Sequence, residues 1–390
     1  MKNLLKYTFA GMLLASPAFS GGWEASRLDS SMMYNEGSYA EVGISQISYD
    51  INGTTQANKK HKMAKDQSRT SLGFKMDYGD FDIGLTSYLS GAIQLDGQAT
   101  AATVNPPGCN PLVNPNPANP AVAQVGYCSV VPSGDVDMKS LALLARYRLN
   151  DNISFMGGIN RYSVSNGTVQ TLSGYYEVSG DEMVPLAGAA YENKEIALRV
   201  ELLVQLETDM SLSAKTAAAK GLATTTAANS KLVVPQTMTL NFQSGIAEDT
   251  LLFGSVHKAD WDTAQITIPQ NNSAAAINTA FANRTAYSIG LGRKLTDNLS
   301  ILGSYSTEDG GGATSNDPFT LNDGSQGLGI GARFTRDNMT ITAGYSYTKV
   351  GDVKMTHIDT TQTPPAPSGL TANYVDNKVT GLGLKIGFSF

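Results

Sequence analysis

The sequence predicts an all-β protein, a transmembrane antiparallel β-barrel of about fourteen strands with a short N-terminal hatch inside the lumen. Three observations predict it: runs of alternating apolar and polar residues, a regular alternation of tight turns with long polar segments, and an apolar stripe in the final strand. The predicted parts are a signal peptide at residues 1–20, a hatch segment at 21–38 and a barrel with long extracellular loops at 39–390.

The alternating runs indicate which way each strand faces. In residues 195–209 one face contains Ile196, Leu198, Val200, Leu202, Val204 and Leu206. The other face contains Glu195, Arg199, Glu201, Gln205, Glu207 and Asp209. A charged side chain that faces lipid at mid-depth costs up to about 2–4 kcal/mol, so the polar face should line the lumen. The same alternation directs Arg146 and Arg148 inward.

The connections between the runs are of two kinds. Tight turns rich in Asp, Asn and Gly are expected at residues 78–80, 150–152, 192–194, 247–249, 296–298 and 336–338. Long polar segments separate them at residues 94–134, 210–231, 263–282, 309–325 and 351–374. Short turns at one rim and long loops at the other are typical of outer-membrane barrels, whereas a soluble sandwich does not sort its connections in this way.

The first and last strands carry further signals. In the first strand the apolar residues change from even to odd positions, and a bulge near Ser45 and Gln46 would explain the slip. Alternatively, the upper end of this strand has left the membrane. The final strand carries Leu382, Leu384, Ile386, Phe388 and Phe390 on one face, and many outer-membrane barrels finish on such a stripe.

The N-terminal twenty residues have the features of a secretory signal. Lys2 and Lys6 precede a short apolar stretch at residues 7–15, and Ala18 to Ser20 supply the small residues that signal peptidase needs. The apolar stretch is shorter than the roughly 20 residues that span a bilayer as a helix. Cleavage would remove both lysines and change the formal net charge from −6 to −8.

Composition and cysteine usage exclude several other classes. Charged residues make up 16% of an acidic chain whose pI is about 5.2, and so no nucleic-acid partner is expected. The histidines His61, His257 and His357 lie in separate segments without a nucleophile pattern, and neither an enzyme nor a cofactor is predicted. Cys109 and Cys128 share one loop, where a disulfide is expected; a metal site is the alternative, although no histidine lies nearby.

Residues 21–38 are expected to enter the lumen, because they could span roughly 60 Å if extended. Trp23, Leu28, Met32 and Met33 are the candidates for contact with a ligand or its path, since apolar residues of a plug need an apolar pocket. The segment is too short to be the folded plug of an energised transporter, which favours passive transport. A disordered N-terminal tail is the alternative.

Arg146, Arg148, Arg199 and Arg333 are candidates for an inward positive charge near a ligand carboxylate, because arginine binds carboxylates bidentately. The alternative is that each arginine simply pairs with inward acids, for which Glu195, Glu201 and Glu207 are available. Glycines 327, 329 and 331 share one strand face and are expected to leave room for the hatch or a ligand.

Four stretches resemble the FadL-type outer-membrane transporters of long-chain fatty acids and aromatic hydrocarbons: residues 35–41, 187–200, 234–261 and 323–352. The resemblance implies fourteen strands, an N-terminal hatch, diffusion without pumping, and a lateral opening through which ligand leaves. A kinked third strand is also implied, which Gly84 and Gly91 permit. One departure is that residues 21–38 lack the family's Asn-Pro-Ala turn; such a triplet stands at 116–118, in the loop that contains the cysteines.

Together these features predict passive transport of hydrophobic small molecules, most simply long-chain fatty acids, by a multi-pass barrel in the outer membrane. The alternatives are an aromatic hydrocarbon channel, a general diffusion porin, and a surface adhesin or structural barrel. Expected partners are the hydrophobic ligand, outer-membrane lipids and the barrel assembly machinery.

Overall fold

The computed structural model describes residues 22–55, 60–97, 132–170, 175–217, 221–269, 276–312, 314–315, 317, 319–359 and 366–390. The predicted signal peptide and the predicted disulfide between Cys109 and Cys128 lie outside the described residues.

Fourteen antiparallel strands form a closed barrel. They are β1 Tyr39–Asp50, β2 Gln67–Asp77, β3 Phe81–Asp96, β4 Ser133–Arg148, β5 Ile153–Gln170, β6 Tyr175–Asn193, β7 Leu198–Gln205, β8 Thr237–Ala247, β9 Thr250–Ala259, β10 Arg284–Lys294, β11 Leu299–Glu308, β12 Ser325–Arg336, β13 Met339–Val350 and β14 Lys378–Ser389. Each strand pairs with its neighbours in the chain, and β1 pairs with β14 from Tyr39 opposite Ser389 to Asp50 opposite Lys378. The predicted fold class and strand number are confirmed.

Six short turns join the strands at one end, called here the inner rim. They lie where the sequence predicted them, except that β6 continues to Asn193 and its turn is the 3₁₀ helix Lys194–Ile196 followed by Ala197. Asp249 and Asp337 adopt positive φ angles of 54° and 53° in the two shortest turns. Asp tolerates this conformation better than most residues, which is why it recurs in these turns.

The barrel's outer surface carries an apolar belt. Large exposed apolar residues point outward from strands all round the barrel, among them Ile44, Leu72, Ile83, Leu143, Ile159, Leu202, Leu240, Ile289, Ile301, Ile330, Tyr345 and Leu382. A closed barrel with an outward apolar band and a polar interior is the architecture that crosses an outer membrane. Within the described part of the chain, no helix is sufficiently long and apolar to traverse a bilayer.

The predicted bulge in β1 is wrong, because its pairing with β14 runs without a register shift through Ser45 and Gln46. Val42 and Ile44 face outward in the lower part of the strand, whereas Ile47 and Tyr49 face inward and are buried near its upper end. The apolar residues change face because the surroundings of the strand change. In its lower part the apolar surroundings lie outside the barrel, and near its upper end they are the side chains packed inside it.

The long connections at the other end, called here the outer end, carry further strands. Ser213–Ala217 and Thr225–Ala227 extend the barrel sheet beyond β6. A four-stranded sheet consists of Thr208–Ser211, Lys231–Val234, Ile266–Pro269 and Ala276–Asn278. A five-stranded sheet consists of Thr314–Ser315, Val353–Asp359, Ala366–Tyr374, Asn52–Thr55 and Lys60–Lys62. Barrel strands need about 9–11 residues to cross a bilayer, and so β3 to β6, with 16 to 19 residues each, project beyond it.

Candidate functional site

The N-terminal segment, residues 22–38, lies inside the lumen. Its first part runs along β3 as a short extra strand, because the Ala25 amide donates to the Ser90 carbonyl at 2.8 Å and the Ala92 amide donates to the Trp23 carbonyl at 2.9 Å. It ends as the 3₁₀ helix Ser31–Tyr34, in which Met32 and Met33 are buried. The predicted location of this segment inside the barrel is therefore confirmed.

The N-terminal segment runs along β3 at the point where the barrel wall is unpaired. Strands β2 and β3 pair from Asp77 opposite Asp82 up to Leu72 opposite Ser87, and there the pairing stops. Strand β2 nevertheless begins at Gln67, and β3 continues to Asp96. Above this stretch, residues 63–65 pair with β3 again, since the Lys65 amide donates to the Gln94 carbonyl at 3.1 Å and Ala64 bridges Leu95. The wall therefore has an opening between residues 67–71 of β2 and residues 88–93 of β3.

A bulge in β3 lies beside this opening. The register between β3 and β4 shifts between Leu89 and Gly91, so that an extra residue stands opposite a single residue of β4. A bulge bends its strand and increases the local twist, which carries the edge of β3 away from β2. The kink that the family resemblance implied for the third strand thus has a structural basis at Ser90.

Arg69 of β2 connects β2 to the N-terminal segment beside the opening, and it was not singled out from the sequence. Its guanidinium donates to the Ala25 carbonyl at 2.5 Å, to the Ser26 hydroxyl at 3.3 Å and to the Tyr49 hydroxyl at 2.6 Å. The clue in the sequence is the alternation of β2, in which Arg69 shares the inward face with Lys75 while Leu72 and Phe74 face outward.

Two glycines of β3 allow the N-terminal segment to approach the wall. A Cβ atom at Gly84 would lie 2.3 Å from the Met33 sulfur, and one at Gly91 would lie 2.4 Å from the Trp23 ring. No side chain fits at either position without displacing the segment. The glycines predicted to leave this room lie elsewhere: Cβ atoms at 327 and 331 would meet neighbouring strands, while Gly329 lines a cavity.

The predicted apolar residues of the N-terminal segment occupy two separate places. Met32 and Met33 are buried near the inner rim, with Leu28 packed against the same cluster, which also contains Tyr39, Ala142, Leu144, Met156, Leu186 and Leu203. Trp23 belongs to the large cluster beneath the outer loops. Its ring meets Trp261 edge-on with centroids 5.1 Å apart, and Tyr162 at 6.3 Å.

Charged and polar contacts hold the same segment on its other side. Glu24 pairs with Arg27 at 2.9 Å and with His257 of β9 at 3.4 Å. Asp29 accepts a hydrogen bond from Lys385 of β14 at 2.8 Å, and Lys385 also contacts Glu41 at 3.1 Å.

These contacts lower the pKa values of Glu24 and Asp29. Burial would raise the pKa of Glu24, but the charge of Arg27 and the contacts with His257 outweigh burial and hold it well below its ordinary value. Burial likewise opposes ionisation of Asp29, but Lys385 overcomes this and lowers the pKa to about 2. Both groups are therefore carboxylates at neutral pH.

The four predicted arginines do not form one site. Arg146 donates to the Met33 carbonyl at 2.8 Å, and the guanidinium groups of Arg146 and Arg199 lie over the Tyr34 ring, 4.1 and 4.2 Å from its centroid. Arg148 lies at the inner rim, where it donates to Asp82 at 2.7 Å. Arg333 lines a small cavity near the inner rim.

Pairing with inward acids, the alternative explanation, describes Arg146 and Arg148. The partners differ from those expected, since Arg146 contacts Glu192 and Asp82, and Arg148 contacts Asp82 and Asp77. Glu201 instead accepts hydrogen bonds from the Ser30 and Tyr34 hydroxyls of the N-terminal segment.

Two cavities flank the N-terminal segment above the Met32 cluster. The smaller, of about 50 Å³, is bordered by residues of the segment, of β3 and β5 to β9 and of the outer loops. Its apolar and aromatic residues include Trp23, Leu28, Tyr162, Leu186, Leu203 and Trp261, and its polar residues include Glu24, Arg27, Gln205 and His257. The larger, of about 190 Å³, is lined mainly by Ser, Thr and charged residues, including Ser45, Arg69, Ser255, Ser288, Ser304, Glu308, Ser346 and Lys385. The smaller cavity is thus the one bordered by both tryptophans, and the larger one is the richer in hydroxyl side chains.

Metal chemistry has no evident place in this site. Among the residues that the structure describes, no group of three or more His, Cys, Asp and Glu side chains is arranged to hold a metal ion.

Comparison with known proteins identifies the fold. No family model and no curated protein matches the sequence. A FadL homologue from Pseudomonas aeruginosa matches with a TM-score of 0.67 at 13% identity, over 97% of this chain and 99% of that one. The toluene transporter TbuX of Ralstonia pickettii matches with 0.58 at 10% identity, over 92% and 91%, and the toluene transporter TodX of Pseudomonas putida with 0.55 at 12% identity, over 97% and 98%. The chain therefore has the FadL-type transporter fold.

Proposed function

We propose that this protein lies in the outer membrane and lets hydrophobic small molecules cross it by passive diffusion. The observation that carries the proposal is the opening between β2 and β3, which the N-terminal segment covers from the lumen side. The solved structures with the same fold include two toluene transporters, which supports this class of cargo.

The polarity of the lumen favours a sideways exit. An apolar solute in the cavity beyond the N-terminal segment would leave Ser, Thr and charged side chains without hydrogen-bond partners, which costs free energy. The opening leads instead toward the bilayer, where each buried CH₂ of a fatty acid contributes about 0.8 kcal/mol. Ligand would thus pass from the outer loops to the aromatic cavity, and then between β2 and β3.

Trp23, Leu28, Met32 and Met33 retain their proposed role as residues that contact the ligand or line its path. Trp23 and Leu28 border the smaller cavity, and Met32 and Met33 anchor the segment that has to move before the opening is free. Arg146 and Arg199 contact the Tyr34 ring of the same segment, and so they are the arginines best placed to hold the segment in its docked position.

Long-chain fatty acids are the first candidate cargo, because an acyl chain benefits most from a bilayer exit. Monoaromatic hydrocarbons are the second, and a specific observation favours them. Trp23, Trp261 and Phe281 form a row of edge-to-face rings at 5.1 and 5.9 Å, a geometry that an aromatic ligand could join.

The test is direct binding of oleate to the purified, refolded barrel, with toluene and maltose as competitors, together with maltose flux in liposomes. Saturable oleate binding that maltose does not affect is the expected result. Displacement of oleate by toluene would assign the aromatic class to the same pocket. Failure to bind either hydrophobic ligand, together with maltose flux, would overturn the proposal in favour of a diffusion porin.

A surface adhesin or structural barrel remains the other alternative to transport. A disulfide that fixes the N-terminal segment to β3 distinguishes an adhesin from a transporter, since an adhesin keeps its function when the lumen is blocked.

A further inference from the structure

The larger cavity of the lumen does not lie alone. Two smaller cavities adjoin the one of about 190 Å³. One, of about 60 Å³, shares Asp29, Ser255 and Ser288 with it. The other, of about 10 Å³, shares Glu41 and Lys385 with it. The three cavities therefore follow one another along the wall of β8 to β14 and β1.

The chemistry of this series is hydrophilic along its length. Ser or Thr side chains of β9 to β13 line the upper cavity, and Arg199, Glu201, Asn241 and Gln243 line the cavity of about 60 Å³. The lowest cavity is bordered by Asn35, Tyr39, Thr340 and Thr342 close to the inner rim. Polar walls with several donors and acceptors stabilise water, which needs two to four polar partners.

One ion-pair cluster stands where the cavities meet. Lys385 of β14 contacts Asp29 of the N-terminal segment at 2.8 Å and Glu41 of β1 at 3.1 Å. Asp29 borders the two larger cavities, and Lys385 and Glu41 border the upper and the lowest. All three side chains are largely buried, with 10–20% of each exposed, and they are shared by the linings of neighbouring cavities, so the cluster lies at the boundary between them.

We propose that the protein has a second, hydrophilic path for water and small monovalent ions along this wall, and that the Asp29–Lys385–Glu41 cluster gates it. This path is separate from the opening between β2 and β3 and does not depend on the proposed transport of hydrophobic molecules. One lysine between two carboxylates also sets the ion preference, because rings of acidic or basic side chains select cations or anions in pores.

The experiment is ion conductance and reversal potential of the full-length barrel in planar bilayers under a KCl gradient. Lys385→Met leaves the two carboxylates and is expected to raise conductance several-fold and make it cation-selective. The double variant Asp29→Asn with Glu41→Gln leaves the lysine, and is expected to conduct with the opposite selectivity. Lys294→Met is the matched control, since its ion pair with Asp297 lies at an inner-rim turn away from the cavities.

A second measurement does not depend on gating. Single cysteines at Ser304 and Ser346, in a background with Cys109 and Cys128 replaced by serine, are expected to react with a membrane-impermeant charged thiol reagent. The proposal is overturned if selectivity is the same in both charge variants, or if neither cysteine reacts in a folded barrel. Oleate binding tests the hydrophobic path alone, and so the two proposals fail independently.

Discussion

At the scale of single residues, the absence of a side chain matters as much as its presence. Gly84 and Gly91 face the lumen where Met33 and Trp23 approach β3, and a Cβ atom at either would overlap them. The sequence suggested these glycines as places where the strand could bend. The structure shows that they also provide the space in which the N-terminal segment docks.

The Gly84→Val variant is expected to weaken docking of the N-terminal segment by about 1–3 kcal/mol, the usual cost of overpacking. Limited proteolysis of the segment in the folded barrel measures this, with faster cleavage as the expected result. Gly157→Val is the matched control, because a Cβ atom there meets nothing within 4 Å. Equal cleavage rates in the two variants would contradict the role of Gly84.

Docking is also expected to depend on pH through Asp29. Its pKa is lowered from 3.8 to about 2 in the docked state, so its contribution is fully present above pH 4 and is lost as pH falls toward 2. Glu24 acts in the same direction. Fluorescence of Trp23 in a Trp261→Phe background should report the loss, while circular dichroism shows an intact barrel. Asp29→Asn should reduce the pH dependence; an unchanged titration would refute the assignment.

At the scale of elements, one edge of β3 pairs with two different parts of the chain. Below Ser87 it pairs with β2, and above this point residues 23–25 take the free hydrogen bonds at Ser90 and Ala92. An unpaired edge is a template for another strand, and here the protein's own N-terminal segment fills that role. The opening between β2 and β3 is therefore uncovered only when the N-terminal segment leaves β3.

A reversible lock tests this directly. Ala25 of the segment faces Ser90 of β3, since the Ala25 amide donates to the Ser90 carbonyl at 2.8 Å, and the Cα atoms of facing antiparallel residues typically lie about 4.5–5.5 Å apart, within disulfide range. The double variant Ala25→Cys with Ser90→Cys, with the native cysteines replaced by serine, should abolish oleate transport when oxidised and restore it on reduction. The reduced protein is the control for loss of the Ser90 hydroxyl. Equal transport in both redox states would exclude this segment as the gate.

At the scale of the whole molecule, the N-terminal segment divides the lumen. Deleting residues 22–38 is expected to raise ion conductance in planar bilayers strongly, because a fourteen-stranded barrel is wider than its own side chains fill. Heat-modified migration on a gel verifies that the truncated barrel folds. Unchanged conductance in a folded barrel would show that the segment does not block the lumen.

The barrel could be predicted from the alternation along the sequence, whereas the position of the opening could not. Alternating faces such as Leu198 and Val200 against Arg199 and Glu201 are set by each strand alone, and the Asp and Asn turns are equally local. Where β2 stops pairing with β3 depends on the bulge at Ser90 and on contacts of Arg69 with a distant segment. The prediction of a bulge in β1 was wrong for a related reason. Periodicity shows which residues are apolar, but it does not show whether an apolar residue faces lipid outside the barrel or packed side chains inside it.

The contacts of Lys385 bear on the order in which the protein is assembled. Lys385 lies on the last strand, Glu41 on the first and Asp29 on the segment enclosed between them. Lys385 therefore contacts the N-terminal segment at the place where the first and last strands pair and close the barrel. Because the complete cluster needs the first and the last strand side by side, we expect closure of the barrel and fixation of residues 22–38 by Lys385 to occur together.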